Sequence, residues 1–228
     1  HLSIRRQRQM CIRDRLEYDG SNYHGFQKQP KTTKTIQHYL EKALTKVANH
    51  KISTICCGRT DAGVHAFNQF VHFDTSSLRK IDSWVKGTNA NLPDDIVVKN
   101  FYKVDENYHV RFDATSREYL YVIKNANTPP AIGFNNCLWI RKNLNIEKMN
   151  KAAKYLIGEK DFSAFRASGC QSKSPIREIT KAKINRKGEY IYFFIKGNAF
   201  MLNMVRIITG TLLDVGTCLL YTSDAADE

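Results

Sequence analysis

Asp61 is the residue of this chain whose surroundings most suggest chemistry. It stands in the run Gly58-Arg59-Thr60-Asp61-Ala62-Gly63-Val64-His65-Ala66, between two glycines and two residues after an arginine. Glycines let a substrate approach the backbone closely. Arg59 can hold a neighbouring carboxylate ionised and can also grip a phosphate. An apolar run, Ile52 to Cys57, leads in, and an alternating run, Phe67 to Phe73, leads out. The nonapeptide therefore reads as a loop between two strands, where a rigid sheet presents a reactive side chain to solvent. The competing reading is a charged hairpin turn closed by a structural Arg–Asp pair.

Other side chains could join it. Tyr119 and Tyr121 lie on one face of an alternating run, Arg117 to Asn125, and rings so placed either stack on a base or pack in a core. Arg206 sits early in an otherwise apolar helical segment and needs a partner if it is buried; otherwise it snorkels to solvent. His65 could act as a base, touch a phosphate or fix the loop. Lys28, Lys31, Lys34, Arg111, Arg166, Lys173 and Arg177 are candidates for salt-dependent contacts to a nucleic-acid backbone, or else solvated surface charges. Ser168 to Ser174 is a polar loop that could fold over RNA.

Composition narrows the partners. The formal charge is +13 over 228 residues, which favours a polyanion and most simply a nucleic acid. No apolar run approaches the roughly 18 residues of a membrane span. Six cysteines are present without a C-x-x-C pair, and no histidine pair has zinc spacing, so neither a metal site nor a disulfide framework is expected. Cys56 and Cys57 read as buried thiols, which fits a reducing, cytoplasmic setting.

The two ends read differently from the rest. Arg5 to Asp14 (RRQRQMCIRD) and Cys218 to Glu228 (CLLYTSDAADE) back-translate to one DNA sequence read from opposite strands, and that sequence resembles a transposon adapter used to prepare sequencing libraries. Residues 1–15 and 218–228 are accordingly expected to be adapter-derived and are set aside from fold reasoning. They add five arginines and four acidic residues, so the remainder still carries +12.

The elements that must position Asp61 follow from periodicity. Leu16 to Tyr18 reads as the stub of a strand. Thr35 can cap a helix whose apolar stripe is Ile36, Tyr39, Leu40, Ala43, Leu44 and Val47. After the strands around the loop come a helix from Leu78 to Thr88, a turn at Asn91 to Asp95 and a strand from Ile96 to Val104. Beyond a boundary near Tyr108 to Ser116 come the strand from Arg117 to Asn125 and a helix from Ile146 to Ile157 closed by Gly158. A hairpin of Arg177–Asn185 and Tyr190–Lys196 around Lys187-Gly188 follows, then a helix from Asn198 to Val215. This order predicts two α+β units, residues 16–112 and 113–217. Each has helices on one face of a largely antiparallel sheet, with a cleft between the open faces.

The nonapeptide closely resembles the catalytic-loop signature of the tRNA pseudouridine synthase A family. Six further blocks extend the resemblance in order across Leu16 to Gly216. They are Tyr18-Asp19-Gly20 with Tyr23-His24-Gly25-Phe26-Gln27, Thr35-Ile36-Gln37, Asn91-Leu92-Pro93, Arg117-Glu118-Tyr119-Leu120-Tyr121, Asp161-Phe162-Ser163-Ala164-Phe165 and Met204-Val205-Arg206. Phe26 stands where the family usually has tryptophan, in a packing role. The resemblance implies two RRM- or ferredoxin-like subdomains and an isomerase of uridine in the anticodon arm of tRNA, on the 3′ side of the anticodon. It implies a homodimer that needs no cofactor, a family chain that begins earlier and continues further, and Asp61 as nucleophile. Arg59 would help hold the target nucleotide out of its stack. Tyr119 would stack on the uracil and assist proton removal from C5, and Arg206 would lie near the aspartate. Residues proposed to touch substrate are thus Tyr119, Tyr121, His65, Lys28, Arg111 and Arg166. The alternative from another class is a catalytically silent RNA-binding protein with RRM-like sheets, though no RNP1 pattern is present. A third reading is that a chain lacking elements at both ends does nothing itself.

Overall fold

The structure, a computed structural model, describes residues 10–218. The chain divides between Ala114 and Thr115 into two compact units, both α+β.

In the first unit β1 (Met10–Tyr18) lies inside a four-stranded antiparallel sheet, flanked by β3 (Ala66–Thr75) and β4 (Ile96–Val104), with the short β2 (Ile55–Cys56) at the edge beside β3. Helices α1 (Ile36–Ala48) and α2 (Ile81–Asn89) supply the other layer. Ile36, Leu40, Ala43, Leu44 and Val47 recur at helical spacing and are all buried. Trp84 of α2 packs on Phe73 and Phe101, with ring centroids 5.5 and 5.9 Å away. Each such ring buried contributes about 1.5–3 kcal/mol. Phe26 is buried in the same cluster, in the packing role its position suggested.

The strand read as a stub at Leu16 is longer: it runs back to Met10, so residues 10–15 take part in the fold. The reason is a ladder. Met10, Ile12 and Leu16 alternate toward the core, and the backbone from Met10 to Leu16 pairs with Thr75 to Gln69. Any extended segment that meets those two demands can occupy the slot. The expectation for residues 218–228 falls, past Cys218, outside the described residues.

In the second unit the sheet order is β6-β5-β9-β8-β7. Its strands are β5 (Arg117–Asn125), β6 (Leu138–Ile140), β7 (Gly158–Asp161), β8 (Ile176–Lys187) and β9 (Tyr190–Gly197). All pairs are antiparallel except β5 with β6. Helices α3 (Ile146–Lys154) and α4 (Met204–Gly216) cover one face.

Several bounds move for local reasons. Only Ile55–Cys56 of the Ile52–Cys57 run is ladder. The Ile52 amide donates to Thr45 Oγ1 (3.1 Å) and the Thr54 amide to Glu41 Oε1 (2.7 Å), so side chains of α1 take the place of a strand partner. Helix α2 begins at Ile81, and Leu78 is exposed, because the Ser77 amide turns back to Thr75 Oγ1. Helix α4 begins at Met204, after Asn203 at φ 57°; Asn198 instead caps β8, its Oδ1 accepting from the Glu178 amide. Thr35 occupies the N-cap of α1 without a side-chain cap bond.

Candidate active site

The nonapeptide is a loop between β2 and β3, as its flanks predict. Its tip is a turn in which the Val64 amide donates to the Asp61 carbonyl (3.2 Å) and Gly63 has φ +74°. A left-handed third residue is what a type II turn demands. Asp61 opens this turn, half-buried, while Ala62 and Gly63 are exposed.

The loop is lodged against residues 18–26. The Phe26 amide donates to the Thr60 carbonyl (3.0 Å) and the Gly63 amide to the Tyr23 carbonyl (3.3 Å). Tyr18 Oη and Thr60 Oγ1 are 2.8 Å apart. The contact is closer than any side chain would permit. A Cβ on Gly20 would lie 2.1 Å from the Val64 carbonyl oxygen, and one on Gly25 (φ +88°) 2.6 Å from that of Thr60. The two glycines of the blocks at 18–27 are thus the floor on which the loop rests. By contrast a Cβ on Gly58 or Gly63 would meet nothing within 4 Å, so the opposite side of the loop is open. Gln69 Nε2 donates to the Gly58 carbonyl (2.6 Å) and closes the loop's other end.

His65 serves the same floor. Its Nδ1 lies 3.2 Å from the Gly20 amide and 3.0 Å from Asp19 Oδ1. A neutral Nδ1 accepts from Gly20, and a protonated one donates to Asp19. Asp19 is held below the ordinary carboxylate range, first by hydrogen bonding from Ser21 and then by the His65 charge. Of the roles open to His65, this geometry favours fixing the loop.

Behind the loop sits a buried polar network that the sequence reading missed. Glu41 accepts from the Thr54 amide, Thr54 Oγ1 (3.0 Å) and Gln37 Nε2 (3.1 Å), and pairs with Lys28. Gln37 Oε1 accepts from the Lys28 amide (2.9 Å). The only sequence signal was the i, i+4 pair Gln37 and Glu41 on the core side of α1. Lys28, a candidate for RNA, is here the counter-ion of Glu41.

Arg59 is exposed, and among the described residues it forms no ion pair with Asp61. Its charge is felt elsewhere: burial pushes the Cys56 thiol up to about 11, while Arg59 and Arg111 oppose that shift. Two arginines therefore stand within electrostatic reach of the strand that enters the loop.

Lys31, Lys34 and Arg111 are exposed in the first unit, and the remaining candidates belong to the second. Tyr119 and Tyr121 are half-buried on the helix-covered face of β5, and Tyr119 packs edge-on against Phe200 (5.0 Å, 81°). Arg206 is exposed on α4 rather than buried. Arg166 donates to the carbonyls of Cys170 (3.0 Å) and Ser172 (2.8 Å), and Arg177 bonds Ser172 Oγ. These two arginines pin the polar loop at Ser168–Ser174 from within. Among the described residues no group of three His, Cys, Asp or Glu could hold a metal ion, and no helix is long and apolar enough to cross a membrane.

Comparison with known proteins gives a consistent outcome. The family described as tRNA pseudouridine synthase matches residues 16–113 and 152–227. The chain is 50% identical over 201 residues to the tRNA pseudouridine synthase A of Shewanella piezotolerans, covering 88% of this chain and 77% of that protein. It is 48% identical to the protein of that name from Aliivibrio salmonicida (88% and 76% covered) and 47% identical to the one from Francisella philomiragia (88% and 78% covered).

Proposed function

The chain belongs to the tRNA pseudouridine synthase A family, and from that premise we propose that it converts uridine to pseudouridine in the anticodon arm of tRNA, with Asp61 as nucleophile. The observation that carries the assignment of Asp61 is its setting. It is a half-buried carboxylate at the head of a turn, pinned from below by Gly20 and Gly25 and open on the other side.

The reaction breaks the bond between N1 and C1′ of the uridine with the electron pair going to N1, turns the uracil and joins C5 to C1′, while the proton on C5 leaves to a base and N1 takes up a proton. Nothing is oxidised or reduced, and no group is gained. A carboxylate can carry this covalently by attack on C1′ or on C6, or can assist a glycal route. Arg59, exposed and two residues before Asp61, suits a grip on the phosphate that holds the target nucleotide out of its stack. Tyr119 takes the role of stacking on the extruded base, with Tyr121 on the same strand face. Arg206, exposed on α4, is the candidate for offsetting negative charge in the reaction. Arg111 and Arg166 meet the tRNA backbone. We assign the active form to a homodimer in the cytoplasm, a setting compatible with six free cysteines.

The test uses tRNA tritiated at uracil C5. The chain should release tritium, and Asp61→Asn should reduce release by at least a thousandfold while leaving tRNA affinity within about threefold. Equal release by the two proteins would remove Asp61 from the chemistry.

A further inference from the structure

The second unit presents a bare sheet face opposite its helices. Strand register defines it. On β9, Ile191, Phe193 and Ile195 point into the core, so Tyr190, Tyr192 and Phe194 point out. Across the ladder Tyr190 stands between Lys187 and Lys124, Tyr192 between Asn185 and Val122, and Phe194 between Lys183 and Leu120. Lys196 follows, between Lys181 and Glu118. Three rings thus form a row along the middle strand, with Lys187, Lys183 and Lys181 exposed along one side.

Charge and ring geometry point the same way. The Tyr190 and Tyr192 rings are 6.5 Å apart and inclined by only 29°. Lys124 Nζ lies 5.0 Å from the Tyr190 centroid and Lys181 Nζ 4.9 Å from that of Phe194. Beside the rings Glu189 is engaged by Lys124 (2.7 Å) and Glu118 by Lys196 (2.8 Å), while Glu178, next to core-facing Ile179, is exposed at the far end of β8. Among the described residues no carboxylate pairs with Lys181, Lys183 or Lys187. The matching face of the first unit is not bare. There Arg13 lies over Phe70, Tyr102 and Tyr108, and Val110, whose amide donates to His72 Nδ1 (3.3 Å), is buried.

We propose that the open face of β8, β9 and β5 is a binding platform for unpaired RNA. Bases stack on Tyr190, Tyr192 and Phe194, and the backbone runs beside Lys181, Lys183 and Lys187. Every base has a flat face, so a ring row accepts any sequence, and the lysine row supplies the salt-dependent part. A second protein copy fits less well, because Glu178 is the one carboxylate of β8, β9 and β5 outside an ion pair among the described residues, a single charge against three lysines. The proposal does not depend on the chemistry of Asp61.

The experiment uses the full chain with a fluorescein-labelled oligouridine read by anisotropy at several salt concentrations. The triple variant Lys181→Glu/Lys183→Glu/Lys187→Glu should weaken binding at least tenfold and flatten the salt slope. Lys148→Glu/Lys151→Glu/Lys154→Glu makes the same charge change on α3 and should cost less than threefold. Tyr192→Ser should weaken binding at least fivefold with the salt slope unchanged. Equal effects of the two triple variants would reduce the platform to general charge and overturn it. So would unchanged affinity in Tyr192→Ser. If that substitution instead split a dimer on sedimentation while RNA affinity held, the face would belong to a second copy. Tritium release at saturating tRNA should survive in all three, so failure here and failure of the Asp61 assignment are separable.

Discussion

Two carboxylates are buried in the first unit, and their surroundings are opposites. Glu41 has donors from Thr54, Gln37 and Lys28 at every turn. Asp14 is wholly buried on β1 between Val71 and Phe101, and neither of its oxygens has a hydrogen-bond partner. Burial therefore raises the Asp14 carboxyl well above the ordinary carboxylate range, and the backbone amides of Asp14 and Val71, near but not in hydrogen-bonding geometry, oppose it only in part. The comparison teaches that a buried charge is tolerable only where the chain has built its partners. Glu41 ties together Lys28, Gln37 and Thr54, the last on the segment that enters the Asp61 loop. Asp14 ties nothing, and it falls in residues 10–15, ahead of the family match that begins at residue 16.

The comparison can be broken at either end. Glu41→Leu removes the acceptor of the Thr54 amide and should cost about 3 kcal/mol in urea unfolding, with tritium release falling as the loop loosens. A loss below about 1 kcal/mol would mean that the network is ornamental. Asp14→Leu should do the reverse and raise stability by about 2 kcal/mol at pH 7, since an apolar side chain needs no partner. An unchanged or lowered transition would show that Asp14 has a role of its own.

The pH dependence sharpens the contrast. Asp14 has a folded pKa raised above its unfolded value of about 3.9, so its folded form binds the extra proton. Its contribution is complete below about pH 4 and is lost as pH rises toward the folded pKa. The loss is at most about 1.4 kcal/mol per pH unit. Thermal scans should show the parent losing stability from pH 4 upward relative to Asp14→Leu, and parallel curves would contradict the assignment. The smallest effect is expected at the loop itself. Thr60→Val removes the bond to Tyr18 Oη and should cost about 1 kcal/mol, with a larger proportional fall in kcat than in KM.

Much of this was legible before the coordinates. The helical stripe of α1, the alternation of β5 and the hairpin at Lys187-Gly188 are local patterns, and the strands and helix they predict are present. The loop around Asp61 was legible because glycines and strand flanks are local too. What was hidden is what depends on distant partners. No pattern in Tyr18 to Gln27 says that Gly20 and Gly25 press on Val64 and Thr60. None says that Glu41, rather than a strand, holds Ile52 to Thr54 in place. Arg206 followed an apolar periodicity that left its exposure open, and α4 began later than that periodicity because Asn198 was taken by β8. Periodicity told which face of β5 carries Tyr119 and Tyr121 but not which face the helices cover. The rings left open to solvent are those of β9.

The close seating of the nonapeptide on Gly20 and Gly25 also has a consequence in time. A hairpin of β2 and β3 can close early, since its contacts are near in sequence. The amides of Phe26 and Gly63, which hold the loop, find their acceptors only across the gap between residues 18–26 and 60–64. Order around Asp61 is therefore expected only once β1 has docked beside β3 and residues 18–26 meet residues 60–64. A chain with the hairpin formed and β1 detached would carry every residue of the signature without the seat that orders Asp61.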